Sequence, residues 1–442
     1  MTPVAFDAGG LPRIATRRRT LPCGLDVVIH RDDAVPQVAV SVWYRVGSSD
    51  ERADRTGFAH LFEHLFKSPP ARLGGHHYEV LKRAGAAEAN ASTSADRTAY
   101  HEVMPAHQLA LALWIESDRM GYFAPAFTPD RLATQQSVVR AERRQRYEDV
   151  PYGAERFAVA GALYPDGHPL RHLAIGRHED IQAATVDDVL AFYRTWYVPA
   201  NATLVLAGDV PDDVDDLVDR YFGTFPPSAR PARRTVDAPA RAGASAALVD
   251  RFAALDRIHR AWHGPAALGA DEAELDVLAA AWTAAGTGAL WRRLVYETQL
   301  AQRVSAWTIN GRLGGELHVA VDLRTGADAG AVRAILDEVC ASGVDERAIA
   351  RVVVRREAGT IWSLTGLARR AALVQRSMLY AERPDGLADE LARFRAVTPA
   401  SIEAARARWL DRAAVVEVAT TAGAARRGSA PATDPASASS EA

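Results

Sequence analysis

In the stretch "GFAHLFEHLFKS", residues 57–68, His60 and His64 stand four apart with Glu63 between them. At about 100° per residue the two imidazoles lie about 40° apart on a helix, and Glu63 falls on the neighbouring edge of the same face. Phe58, Leu61, Phe62, Leu65 and Phe66 fill the other positions, so one helix (about 56–67) combines an apolar body with two imidazoles and a carboxylate. A catalytic zinc takes three protein ligands and a water, and His at i and i+4 supply two of the three. Glu63 then sits beside the ion as a general base toward that water. The third ligand must come from elsewhere. Glu142, in "SVVRAERRQRYEDV", lies on a helix whose Leu132, Val138 and Val139 give it a buried side. Glu116 and Asp118, in "LWIESDRM", compete on spacing, and a solvated helix face is the alternative for both. Physical argument divides the choice between the two helices. His76 and His77 follow a Gly-Gly turn and read as loop histidines, and "ERRQRYED" after Glu142 reads as a mostly solvated helix end.

These residues need elements to hold them. "LDVVIH" and "QVAVSVWY" alternate as strands, with Val38, Val40 and Val42 on one face. The metal-candidate helix follows, then a helical "YEVLKRAG" and a strand-like "AEANASTSADRTAYHEVMP". Two long helices come next, around 106–121 and 129–148. Strands and helices do not alternate as parallel βαβ units require, which gives an α+β fold with antiparallel sheets. "DIQAATVDDVLAFYRTWYVPANATLVLAG" (180–208) matches "RFRAVTPASIEAARARWLDRAAVVEVATT" (393–421) without gaps, at an offset of 213. Thr185 meets Thr398, Val189 meets Ile402, Trp196 meets Trp409 and Val205 meets Val418. Each copy reads as a Thr-capped amphipathic helix closed by Trp and followed by a strand. "HRAWHG" likewise echoes "SVWYRV", but the helix after it, "EAELDVLAAAWTAA", has no histidine. The pattern is two homologous αβ-roll domains from one duplication, with the chemistry in the first. The expected organisation is an N-terminal domain over 15–225, a Pro/Ala/Arg linker over 226–247, a C-terminal domain over 248–421 and a disordered tail over 422–442.

Bulk composition narrows the function. The chain has 442 residues, 48% hydrophobic and 24% charged, with a net charge of −3, which argues against nucleic acid. Basic residues are almost all Arg, with Lys only at 67 and 82. Cys23 and Cys340 cannot build a disulfide framework and read as small buried residues. No apolar run is long enough to span a membrane, and the N-terminus lacks the pattern of a secretory signal, so the expected location is cytoplasmic.

Through "TGFAHLFEHLFKS", "NASTSADRTAYHEVMP", "LWIESDRM" and "VVRAERRQRYEDVPYG", from about Arg17 to about Val418, the chain resembles the pitrilysin/insulinase family of metallopeptidases. By position the resemblance implies His60 and His64 as zinc ligands, Glu63 as general base and Glu142, 78 residues after His64, as third ligand. A supporting carboxylate seven residues before that ligand in many relatives is Gln135 here. "EANASTSADRTAY" resembles the family's substrate-binding edge strand, with Asn90, Ala91 and Ser92 along the peptide; the alternative is an inner strand. Self-sufficient relatives also carry an Arg and a Tyr seven apart in the second half. Here those positions are Val295 and Gln302, with Tyr296 and Arg303 each one residue along. The resemblance therefore implies the zinc-bearing subunit of a heterodimeric peptidase, with a partner supplying Arg and Tyr and a homodimer as the alternative arrangement. Substrates would be peptides or unfolded segments inside a closed chamber. A non-catalytic, chaperone-like subunit and a dedicated precursor-processing peptidase are the rival readings, and manganese or cobalt the rival metals.

Overall fold

The computed structural model describes residues 4–67 and 77–423. After a hairpin of β1 (Val4–Phe6) and β2 (Pro12–Ile14), six strands form the first sheet: β3 (Arg17–Thr20), β4 (Asp26–Arg31), β5 (Gln37–Tyr44), β6 (Glu88–Thr93), β7 (Thr98–Pro105) and β8 (Ala202–Gly208). Their order is β3-β4-β8-β5-β7-β6. The second sheet uses β9 (Ala244–Asp250), β10 (Arg257–Gly264), β11 (Ala301–Gly311), β12 (Gly314–Leu323) and β13 (Val416–Ala422), in the order β11-β12-β10-β13-β9. Without β3 and with one list reversed, the two orders are the same, β4-β8-β5-β7-β6 standing for β9-β13-β10-β12-β11. The fold is α+β and internally duplicated. The sheets depart from the antiparallel expectation at one place each: β4–β8 and β9–β13 are parallel. Nearly a whole half of the chain separates the members of each pair, which leaves room for the crossover that parallel pairing requires.

The first half carries helices α1 (Phe58–Lys67), α2 (His77–Arg83), α3 (Leu109–Ala126), α4 (Pro129–Arg143), α5 (Gly153–Leu163), α6 (His178–Ala183), α7 (Val186–Trp196) and α8 (Val214–Phe222). The second carries α9 (Glu272–Thr283), α10 (Ala329–Cys340), α11 (Glu346–Ser363), α12 (Leu367–Tyr380), α13 (Leu387–Arg395) and α14 (Pro399–Trp409). Thr185 and Thr398 cap α7 and α14, each within a reciprocal capping box, and the two helices end at Trp196 and Trp409. Val38, Val40, Val42 and Tyr44 of β5 face α1, whose Phe58, Leu61, Phe62, Leu65 and Phe66 are all buried against them. Those residues recur at i, i+3, i+4, i+7 and i+8, so the helix has one apolar face and seals the sheet with it. Phe62 stacks on Tyr197 at 4.6 Å between ring centroids.

The halves exchange helices. α12, from the second half, covers the back of the first sheet, where Leu367, Ala371, Val374 and Met378 meet Val28, Ala39, Val205 and Ala207. Gln375 on the same helix donates to the carbonyls of Ser41 (2.8 Å) and Thr203 (2.9 Å). α5, from the first half, covers the back of the second sheet with Val159, Leu163 and Tyr164 against Ala261, Val416 and Val418. Its buried Glu155 bonds His259 of β10 and Thr420 of β13.

The stretch expected as a linker has no helix or strand from 226 to 243, but β9 begins at Ala244, four residues before the expected second domain. It is also fastened: Arg233 pairs with the buried Asp50 carboxylate at 2.6 Å, a charge-assisted bond added to the one that carboxylate accepts from the Gly47 N–H. Ala422, placed by composition in the tail, is the last, buried residue of β13, and residues 424–442 of that expected tail lie outside the described residues. Both cysteines are buried and free. Among the described residues no helix is long and apolar enough to cross a membrane.

Candidate active site

α1 begins two residues later than expected, at Phe58, and presents His60, Glu63 and His64 together: one ligand atom from each lies within 4.8 Å of the others. α4 crosses α1 and brings Glu142 to them. Its Oε2 is 3.0 Å from His64 Nε2 and 3.5 Å from His60 Nε2. Donors on a tetrahedral ion with bonds of 2.0–2.1 Å stand about 3.3 Å apart, so both distances match edges of such a tetrahedron. Glu142 Oε2 is buried and faces the two imidazoles, while Oε1 is held by Arg146 at 3.2 Å. The donor set of two imidazoles and a carboxylate fits zinc.

The protonation states fit as well. Burial holds the His60 imidazole down at about 4, leaving it neutral near pH 7 with a lone pair to offer. The hydrogen bond with His64 keeps Glu142 ionised, its pKa down at about 2. For Glu63 burial pushes upward, but the Lys67 ammonium and then His60 outweigh it and hold the carboxyl below its ordinary value. Lys67 Nζ lies 2.5 Å from Glu63 Oε1, and the Thr93 hydroxyl donates to Oε2 at 2.7 Å. Lys67 and Thr93 are partners that the sequence reading did not name. Lys67 was legible as the i+4 neighbour of Glu63. Thr93 was not, because a strand 30 residues away meets the helix only in the fold.

Glu116 and Asp118 do not join the cluster. Both are buried on α3 rather than on a solvated face, and Glu116 pairs with Arg119 at 3.2 Å. α3 packs along the sheet, so carboxylates on its inner side take an internal partner. Of the apolar residues expected to bury α4, Leu132 and Val139 are buried but Val138 is 42% exposed, having turned to the outer face. His77 lies in α2 and is buried, which corrects its reading as a loop residue. His76 lies outside the described residues.

β6, with Asn90, Ala91 and Ser92, is the edge strand of the first sheet and pairs only with β7 among the described residues. Its Thr93 end touches Glu63, so the free edge runs into the His/Glu cluster. In the second half Val295 packs partly buried against the core, and Gln302 is exposed on β11. Neither neighbour substitutes for the missing pair. Arg303 is committed to Asp322 at 2.9 Å, and Tyr296, 70% exposed, stacks on Trp291.

A solved structure described as a protease from Helicobacter pylori superposes with a TM-score of 0.84 at 24% identity, covering 92% of this chain and 99% of that one. The fold is thus that of the two-domain M16-like peptidases. Two family models match in tandem, "Insulinase (Peptidase family M16)" over residues 26–156 and "Peptidase M16 inactive domain" over 183–353. The chain belongs to the insulinase family of peptidases, M16. His60, Glu63, His64 and Glu142 all fall in the stretch matched by the first model. A protein named zinc protease PqqE from Helicobacter pylori is 32% identical over 269 residues, 59% of each chain. One named an uncharacterized zinc protease from Mycobacterium bovis is 33% identical over 213 residues, 48% of each. The matched stretches therefore span about half to three-fifths of those relatives.

Proposed function

We propose that the chain is the zinc-bearing subunit of a peptidase that hydrolyses peptides or unfolded segments. The observation carrying this reading is the meeting of His60, His64 and Glu142 from two helices, with Glu63 alongside and a free strand edge leading in. His60, His64 and Glu142 would hold zinc, which when bound polarises a carbonyl and makes water acidic enough to attack near neutral pH. Glu63, kept ionised beside Lys67, takes a proton from the attacking water and returns it to the leaving amine. As the water oxygen bonds to the carbonyl carbon, the C–N bond breaks and the amine departs with that proton. β6 binds the substrate as an added strand, through main-chain hydrogen bonds along Asn90, Ala91 and Ser92.

The Arg and Tyr that would face the developing oxyanion are replaced by Val295 and Gln302, which supports a second family subunit that supplies them, a homodimer being the alternative. Residues of both subunits would enclose the substrate, and the subunit would work in the cytoplasm. Cleavage of a quenched-fluorescent peptide library by the purified, zinc-loaded chain, beside Glu63→Gln, tests both parts. Whatever rate the chain alone shows, expected to be low, should fall about 10²–10⁴-fold in the variant, the scale of a lost general base. Full activity of the chain alone would remove the need for a partner. Activity that survives Glu63→Gln would remove the assigned role of Glu63.

A further inference from the structure

α1 has no cap of its own: the residue before it is Gly57, at φ +87°, without a side chain to accept the orphan N–H groups of the first turn. A residue from outside the helix takes that role. The Glu51 side chain, fully buried, accepts from the Gly57 N–H through one oxygen and from the Ala59 N–H through the other, both at 2.8 Å. Ala59 is the residue immediately before His60. His172 backs the carboxylate, its Nε2 2.9 Å from Glu51 and 3.1 Å from the carbonyl of Ser48.

The chain leading into the helix is pinned as well. Asp180 accepts from both the N–H and the hydroxyl of Thr56, at 3.0 and 2.5 Å, and the Arg177 N–H donates to that hydroxyl at 2.9 Å. Gly57 and Gly176 pass so closely that a Cβ on Gly176 would stand 2.4 Å from the Gly57 Cα. The last link before His60 in this arrangement is Glu51.

We propose that Glu51, braced by His172, is a positioning residue that fixes the first turn of α1 and with it the direction of the His60 and His64 nitrogens toward Glu142. The proposal rests on reading α1 as the zinc helix. Metal donors must be held to within about 0.5 Å of their working positions, and a turn freed at Gly57 and Ala59 has no other side chain to restore it. Gln at position 51 would turn its NH2 toward one of the two N–H groups, and Asp is one methylene too short to span both.

The test is competition of the purified protein with a chromophoric chelator for Zn2+, together with the visible spectrum of the Co2+ form. Wild type is compared with Glu51→Gln, Glu51→Asp, His172→Gln and His60→Ala, with circular dichroism confirming the fold of each. The two Glu51 variants are expected to bind Zn2+ about 10–100-fold more weakly and to show altered Co2+ bands, with His172→Gln weakened less. A lowered melting temperature with unchanged Zn2+ affinity and Co2+ spectrum would make Glu51 merely structural and overturn the proposal. If the Glu51 variants do not fold, His172→Gln decides alone: weakened affinity supports the proposal and unchanged affinity overturns it. A wild-type protein whose metal binding survives His60→Ala would instead sink the reading of α1, and the proposal with it.

Discussion

α1 and α9 occupy the same place in two copies of one fold, each following the central strand of its sheet and preceding the outer hairpin. Both are buried along the side that meets the sheet: Phe58, Leu61, Phe62, Leu65 and Phe66 in α1, and Ala273, Leu275, Leu278, Ala279 and Trp282 in α9. They differ on the remaining edge. α1 sets His60, Glu63 and His64 there, whereas α9 has no histidine, and its buried Glu272 is tied to Arg393 at 2.9 Å and Arg376 at 3.4 Å. The sheet requires an apolar helix at this position and is indifferent to what the free edge carries. Chemistry and scaffold are therefore separable, and substitutions should sort accordingly.

The largest effect on stability is expected at Phe62. Phe62→Ala removes a fully buried ring from the face that α1 shares with α9 and should cost about 3–5 kcal/mol by denaturant unfolding. Trp282→Ala on α9 should cost a similar amount. A negligible loss at either site would break the equivalence of the two helices. Thr93→Val keeps shape and removes the hydroxyl that fixes Glu63. It should lower kcat for peptide cleavage about 10–100-fold while Zn2+ affinity and melting temperature stay near wild type. If Zn2+ affinity fell as far as kcat, scaffold and chemistry would not be separable at that residue.

The smallest effect concerns pH. The core-facing side of β12 is wholly apolar (Leu317, Val319, Val321, Leu323), whereas β7 turns Glu102 inward. Glu102 and Glu116 share one buried guanidinium, Arg119, and burial raises both carboxyls above the ordinary value. A raised carboxyl contributes fully below its unfolded value of 4.5 and loses that contribution as pH rises through its folded value. The contribution of this pair should therefore be lost as pH rises above 4.5, and Glu102→Gln should raise the melting temperature relative to wild type by an amount that grows with pH. The gain is about 1.4 kcal/mol for each pKa unit of displacement removed. A difference that shrinks or turns negative as pH rises would reverse the assignment.

What the sequence made legible was local or repeated. The His60–Glu63–His64 face follows from the helical period alone, and the Thr185 and Thr398 caps with their closing tryptophans follow from an N-cap residue and an amphipathic run. Matching the two segments exposed the duplication that the strand orders display. Long-range events were not legible. Periodicity gives α3 and α4 an inner and an outer face without saying which neighbour arrives, so Glu116 and Asp118 seemed candidate ligands and Val138 seemed buried. His77 was misread because a Gly-Gly pair in the sequence does not tell whether the residue two places on belongs to a helix. Glu51 carries no local signature, since the helix it caps is in contact with it only once the short turn Ser48–Asp50 and the loop after it have folded back.

The exchanged helices carry one more consequence. A cut in the stretch between residues 226 and 243 would leave two fragments, each holding the cover for the other's sheet. Each fragment alone would show water an apolar sheet face and carry a helix with nowhere to dock. Mixed, they should find each other and reassemble, so the covalent join between the halves matters less to their union than the two helices already traded across it.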